Sequence, residues 1–123
     1  MNYRLELVPV PVSDVDAAKS FYVDKVGFVL DIDSTVNEDL RFVQLTPPGS
    51  ACSISIGKGL VDTAPGSAQG LQLVVDNADD ARADLASRGV DVSDVQEFPW
   101  DRFVFFSDPD GNGWAVQEVP ARA

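Results

Sequence analysis

Histidine is absent from the 123 residues. That zero removes imidazole general bases, Ser–His–Asp and Cys–His nucleophilic catalysis, and every His-ligated zinc site. Cysteine occurs once, at Cys52, so the chain holds no internal disulfide. Cationic residues are scarce: nine Lys+Arg stand against twenty Asp+Glu, a formal charge of −11. Phosphate recognition relies on clustered cations, which makes nucleic acid and anionic membranes poor partners. No apolar run approaches the roughly 18 residues a membrane-crossing helix needs. Residues 1–20 carry no basic stretch followed by an apolar one, so the sequence predicts a soluble cytoplasmic protein.

What is present suffices for one packed domain: 45% of the residues are hydrophobic and 24% charged. The acidic residues divide nearly evenly between the two halves of the chain, which reads as a solvated acidic surface rather than a tail. Internal repetition is visible. Val12-Ser13-Asp14 opens a helix-like stretch that ends at Gly27, and Val75-Asp76-Asn77 opens another that ends at Gly89. Arg41-Phe42-Val43 recurs as Arg102-Phe103-Val104, and Pro48-Gly49 recurs near Pro109-Asp110-Gly111. Blocks matching at nearly one offset indicate a tandem duplication within a single domain spanning 1–123. Its units cover about 1–58 and about 70–123, joined by a Gly/Ala/Pro-rich linker over about 58–69.

Each unit reads as strand, helix, then three strands. In unit one, Leu5 to Val12 is apolar and β-branched, and Ser13 caps the helix with Asp16 in capping-box position. Val15, Ala18, Tyr22 and Val26 share a helical face, and strands follow at Phe28–Asp33, Leu40–Thr46 and Cys52–Ile56. In unit two, a strand at Leu71–Val75 precedes a helix capped by Asp76, with Ala78, Ala81 and Leu85 as its buried stripe. Strands follow at Val90–Phe98, Arg102–Phe106 and Gly113–Val119. The expected fold is α+β: tandem βαβββ units forming a curved mixed sheet, helices on its convex side and a ligand-sized concavity opposite.

Val12-Ser13-Asp14, Phe21-Tyr22, Val26-Gly27-Phe28, Arg88-Gly89-Val90 and above all Ser107-Asp108-Pro109-Asp110-Gly111-Asn112-Gly113-Trp114 resemble the vicinal oxygen chelate superfamily. That group contains glyoxalases, extradiol dioxygenases, methylmalonyl-CoA epimerases, fosfomycin-modifying transferases and bleomycin-binding resistance proteins. The resemblance covers essentially the whole chain and implies the same βαβββ duplication. It also implies a divalent metal held from the first and last strands of each unit, at Leu7, Ile56, Gly70 and Glu118. Only Glu118 could ligate, and one carboxylate does not make a transition-metal site. A shifted site using Gln72 and Glu118, with Glu6 if the first strand slips, would bind a divalent metal weakly at best. The sequence therefore predicts no metal and no other cofactor. This departure also weakens the metal-dependent activities, which use the ion to stabilise an enediolate-like charge.

The expected concave pocket is lined by Leu7, Pro9, Ile54, Ile56, Gln72, Trp114, Val116 and Glu118, with Trp100 and Phe103 at its rim. Trp114 and Trp100 offer flat surface for stacking aromatic ligands. Glu118 is the one candidate for a general base, and its alternative role is a structural acceptor. Arg41 and Arg102, at equivalent repeat positions, read as surface ion pairs with neighbouring aspartates or as anchors for a ligand carboxylate. Cys52 starts an apolar strand with no cation nearby, as a buried inert thiol does. Asp108-Pro109-Asp110-Gly111 imitates the start of an EF-hand loop, but its flanks are strands and it reads as a hairpin turn.

These readings converge on a metal-independent binding protein, working as a homodimer, for a hydrophobic or aromatic antibiotic or metabolite. The competing expectation is a glyoxalase-like lyase or isomerase, or another enzyme of the superfamily, using Glu118 as base or residual metal ligand.

Overall fold

The structure, a computed structural model, describes residues 1–120. In chain order the elements are β1 (Leu7–Pro9), α1 (Val15–Ser20) continuing directly into a π-helical segment (Phe21–Val26), β2 (Val29–Asn37), β3 (Leu40–Thr46) and β4 (Ser53–Lys58). They are followed by β5 (Leu71–Val75), α2 (Ala78–Ser87), β6 (Gln96–Glu97), β7 (Arg102–Ser107) and β8 (Gly113–Glu118). This is βαβββ twice over. The strands fall into two four-stranded mixed sheets with the same layout, β1-β4-β3-β2 and β5-β8-β7-β6. In each, the first strand runs parallel to the last and the remaining pairings are antiparallel.

Local chemistry moves several boundaries away from the sequence expectation. The helix of unit one is capped by Asp14, not Ser13: Asp14 Oδ1 accepts from the Ala17 amide at 3.0 Å. Ser13 is used elsewhere, its amide and hydroxyl both donating to the Asp110 carboxylate. Asn77, one residue past the expected Asp76, caps α2 by accepting from the Asp80 amide at 2.9 Å. β1 is short because Pro9 and Pro11 supply no backbone donor. The expected strand at Val90–Phe98 shrinks to Gln96–Glu97 because Ser93 pairs irregularly with Phe105. Its amide donates to the Phe105 carbonyl and its hydroxyl accepts the Phe105 amide.

One core serves both units. Val43, Leu45, Ile54 and Ile56 from the first sheet meet Val104, Phe106, Trp114 and Val116 from the second. Ala18, Tyr22, Val26 and Leu85 come from the helices between them. Unit one reaches into unit two through its helix. Phe21 packs on Phe106, and Tyr22 and Phe28 pack on Trp114, with ring centroids 5.6–6.2 Å apart. Arg88 after α2 returns the contact by donating to the carbonyls of Lys25 and Val26 at 2.6 and 3.0 Å.

Candidate functional site

Side chains alternate across a strand, so the registers assign every strand residue to the helix-covered face or the opposite, open face of its sheet. Trp114, Val116 and Glu118 share the covered face of β8, and Ile54 and Ile56 share the covered face of β4. These five were expected in the ligand concavity and the structure corrects that placement. Trp114 is 4% exposed and donates its indole N–H to the Tyr22 hydroxyl at 3.0 Å. Ile54, Ile56 and Val116 pack in the same core. Val116 also touches a cleft of about 330 Å³ at the seam between the units, beside Leu73 and Leu85.

Glu118 serves the fold. Its Oε1 accepts from the Ala78 amide at the first turn of α2 at 2.9 Å and pairs with Arg102 at 3.3 Å. A carboxylate at a helix N-terminus satisfies an orphan amide and opposes the positive end of the helix dipole. Glu118 is thus directed into helix and ion-pair contacts, away from the open face where it would act as a base.

The other candidates stand on or beside the open faces. Leu7 and Pro9 align with Ser53 and Ser55 on the first sheet, Gln72 with Ala115 on the second, and Phe103 with Gln117. Pro9 also borders a cleft of about 570 Å³ near the start of α1. The two open faces differ in chemistry. That of the first sheet is mixed: Ser53 hydrogen-bonds to Gln44 and to Thr46, which also donates to Asp31, beside the apolar Leu7, Pro9 and Phe42. That of the second is aromatic. Phe103 and Phe105 lie parallel, centroids 5.9 Å apart, and Phe98 stands edge-on to both. Trp100 stacks on Phe98 at 5.4 Å with an interplanar angle of 17° and remains 66% exposed.

A hairpin builds this corner. Gln96 pairs with Phe103 and Glu97 with Arg102, and the Phe98 amide donates to the Asp101 carbonyl at 2.9 Å. Pro99 and Trp100 form the two-residue turn, which thrusts the indole outward. Proline suits the turn because its φ is already fixed. Phe98 and Phe105 were not singled out as ligand contacts in the sequence. The signal that could have found them is spacing: in Phe98-Pro99-Trp100-Asp101-Arg102-Phe103-Val104-Phe105, a two-residue turn sets Phe98 on the face of Phe103 and Phe105.

The ion pairs repeat with the duplication. Arg41 donates to Asp16 near the start of α1 at 2.8 Å, and Arg102 donates to Asp79 near the start of α2 at 3.1 Å. Each arginine therefore clamps its own unit's helix to its sheet. Hydrogen bonds from Arg41 and Lys19 hold the Asp33 carboxyl well below the usual carboxylate range. Burial, and then the adjacent Asp108 charge, push the Tyr22 phenol well above its ordinary value, so it remains a donor. Asp108 is 5% exposed and accepts from Tyr22, from the amides of Asp110 and Asn112, and from the Asn112 side chain. With Gly111 donating back to the Asp108 carbonyl at 2.9 Å, the Asp108–Asn112 segment is a hairpin turn tied to the core. Cys52 is a half-buried free thiol.

The residues do not fit the metal that the resemblance implies. Leu7 and Gly70 carry no donor side chain, Ile56 is buried in the core, and Glu118 is engaged by Ala78 and Arg102. The shifted alternative fails as well, because Gln72 and Glu118 lie on opposite faces of the second sheet. Among the described residues, no group of three or more His, Cys, Asp and Glu side chains could hold a metal ion. No helix among them is long and apolar enough to cross a membrane.

The chain is similar to TnmS3, an antibiotic binding protein from Streptomyces sp. CB03234, with 38% identity, 95% of this chain and 96% of that one covered, and a TM-score of 0.85. It is similar to a glyoxalase/bleomycin resistance protein from the same organism, with 39% identity, coverage of 94% and 100%, and a TM-score of 0.81. The uncharacterised protein YetH of Bacillus subtilis (strain 168) is 28% identical over 96% of this chain and 100% of its own length. The family model for the glyoxalase/bleomycin resistance protein/dioxygenase superfamily matches residues 4–116. With its paired βαβββ units and its Asp-Pro-Asp-Gly-Asn turn, the chain belongs to the glyoxalase/bleomycin resistance protein/dioxygenase superfamily.

Proposed function

We propose that this protein binds, without a metal, a flat hydrophobic or aromatic antibiotic or metabolite and sequesters it. One observation carries the reading: the aromatic corner of Phe98, Trp100, Phe103 and Phe105, with the Trp100 ring exposed to receive a ligand. Covering roughly 100 Å² of apolar ring surface would contribute about 2.5 kcal/mol before ordering costs. The likeness to an antibiotic binding protein supports this choice of ligand class. Gln72 and Phe103 belong to the same face and complete the proposed contacts. Leu7 and Pro9 would contribute from the open face of the first sheet.

The working form is a homodimer. β2 is an edge strand whose nine residues are all exposed, among them Val29, Leu30, Ile32 and Val36, more apolar edge than a monomer usually shows. A second copy seated on β2 would cover these side chains.

The test is a fluorescence titration of the purified protein with planar polycyclic antibiotics, paired with native mass spectrometry. Saturable quenching with one ligand per chain in a dimer supports the reading. Absence of quenching across the panel, or turnover of the compound, sinks it.

A further inference from the structure

The open face of the second sheet carries a polar relay beside its aromatic rings. Gln72 Nε2 donates to Gln117 Oε1 at 2.5 Å, and Gln117 Nε2 donates to Asp101 Oδ2 at 2.5 Å. Gln117 pairs directly with Phe103, so this chain of hydrogen bonds crosses the floor of the aromatic corner. Asp101 closes the turn that carries Trp100, and the Gln117 bond fixes its side chain on the same face as Phe98 and Phe103. We infer that Asp101 is a specificity-determining residue, and that the ligand it selects is a planar aromatic bearing a cationic nitrogen. The inference rests on the binding function proposed above and narrows its ligand class.

Three features point the same way. The relay engages Asp101 Oδ2, and a carboxylate offers about four lone-pair sites, so Oδ1 can accept from a ligand. The exposed Trp100 ring has a negative π face that attracts cations within about 6 Å. The neighbouring guanidinium is directed elsewhere: alternation sends Arg102 to the covered face, where it pairs with Asp79 and Glu118. Arg82 and Arg88 are likewise paired, with Asp94 and Asp84. The local acceptor thus works in the field of a chain of net charge −11, which favours capture of a cation.

The test uses three tricyclic probes at pH 7 and low salt, followed by tryptophan quenching and calorimetry. 9-Aminoacridine is a cation, acridone is neutral, and anthraquinone-2-sulfonate is an anion. Wild-type protein should bind the cation about tenfold more tightly than acridone, as one charge-assisted hydrogen bond would give. Asp101→Asn still accepts from Gln117 but lacks the charge, and should reduce that preference to about twofold or less. Asp24→Asn, which removes an exposed charge elsewhere, should retain the preference. Equal binding of acridone or the sulfonate by wild type overturns the inference while leaving aromatic binding standing. So does an undiminished preference in Asp101→Asn, or an equal loss in Asp24→Asn. Failure of all three probes to bind overturns both this inference and the function on which it rests.

Discussion

The Tyr22 hydroxyl donates to the buried Asp108 carboxylate at 2.8 Å and accepts the Trp114 indole N–H at 3.0 Å. A residue of the first unit's helix thus satisfies both the turn and the last strand of the second unit. Replacing Tyr22 by Phe keeps the ring packing, removes one of the donors to Asp108 and leaves the buried Trp114 indole N–H without its acceptor. The expected cost is about 2 kcal/mol, read as a lower urea midpoint with an unchanged slope.

The same contact and the Asp33 cluster set opposite limits on stability. Asp33 titrates below its ordinary value in the fold, so its contribution is full above about pH 4 and fades as pH falls further. Tyr22 titrates above its ordinary value, so its contribution is full below about pH 10 and is lost as pH rises. Thermal melting across pH should show a flatter acid limb for Asp33→Asn and a flatter alkaline limb for Tyr22→Phe. Parallel curves for variant and wild type would contradict these assignments.

Glu118→Gln separates a structural carboxylate from a functional one. A glutamine can still accept from Ala78 but loses the charge opposite Arg102 and the helix dipole. The expected loss is about 1 kcal/mol of stability, with ligand affinity within about twofold of wild type. A large loss of binding at unchanged stability would return Glu118 to the site.

Trp100→Ala should do the reverse. The indole is 66% exposed, so the melting temperature of the monomeric fold changes little. Affinity for a planar ligand should fall about tenfold or more, as a lost stacking platform implies. Ligand-induced quenching should vanish with it, because Trp114 is buried behind Tyr22 and Phe28.

Much of the fold was legible because duplication leaves two copies of each signal. Arg41 and Arg102, Gly27 and Gly89, and the two apolar helix stripes announce one architecture twice. Which face of a strand looks outward was harder to read. Trp114, Val116 and Glu118 do share a face, as alternation requires, but a β8 with apolar residues on both sides does not say which side the helices cover. The bulky residues went to the helices, and Ala115 and Gln117 to the open side. The capping residues shifted for a similar reason. Ser13, Asp14, Asp76 and Asn77 are all competent caps, and long-range partners such as Asp110 decide which is free.

The π-helical segment in unit one marks where the two halves ceased to be equivalent. Thirteen positions lead from the Asp14 cap to Gly27, but twelve from the Asn77 cap to Gly89. One inserted residue is what a π-turn absorbs without breaking the helix. Deleting the extra residue from Phe21–Val26 would let the segment close to α-helical winding with both flanks in phase, and would remove the widened turn from which Phe21 and Tyr22 reach Phe106 and Trp114. The widened turn carries the two rings by which unit one enters the core of unit two, and the helix of unit two has no such turn, so the two repeats are joined by a contact that only one of them can make.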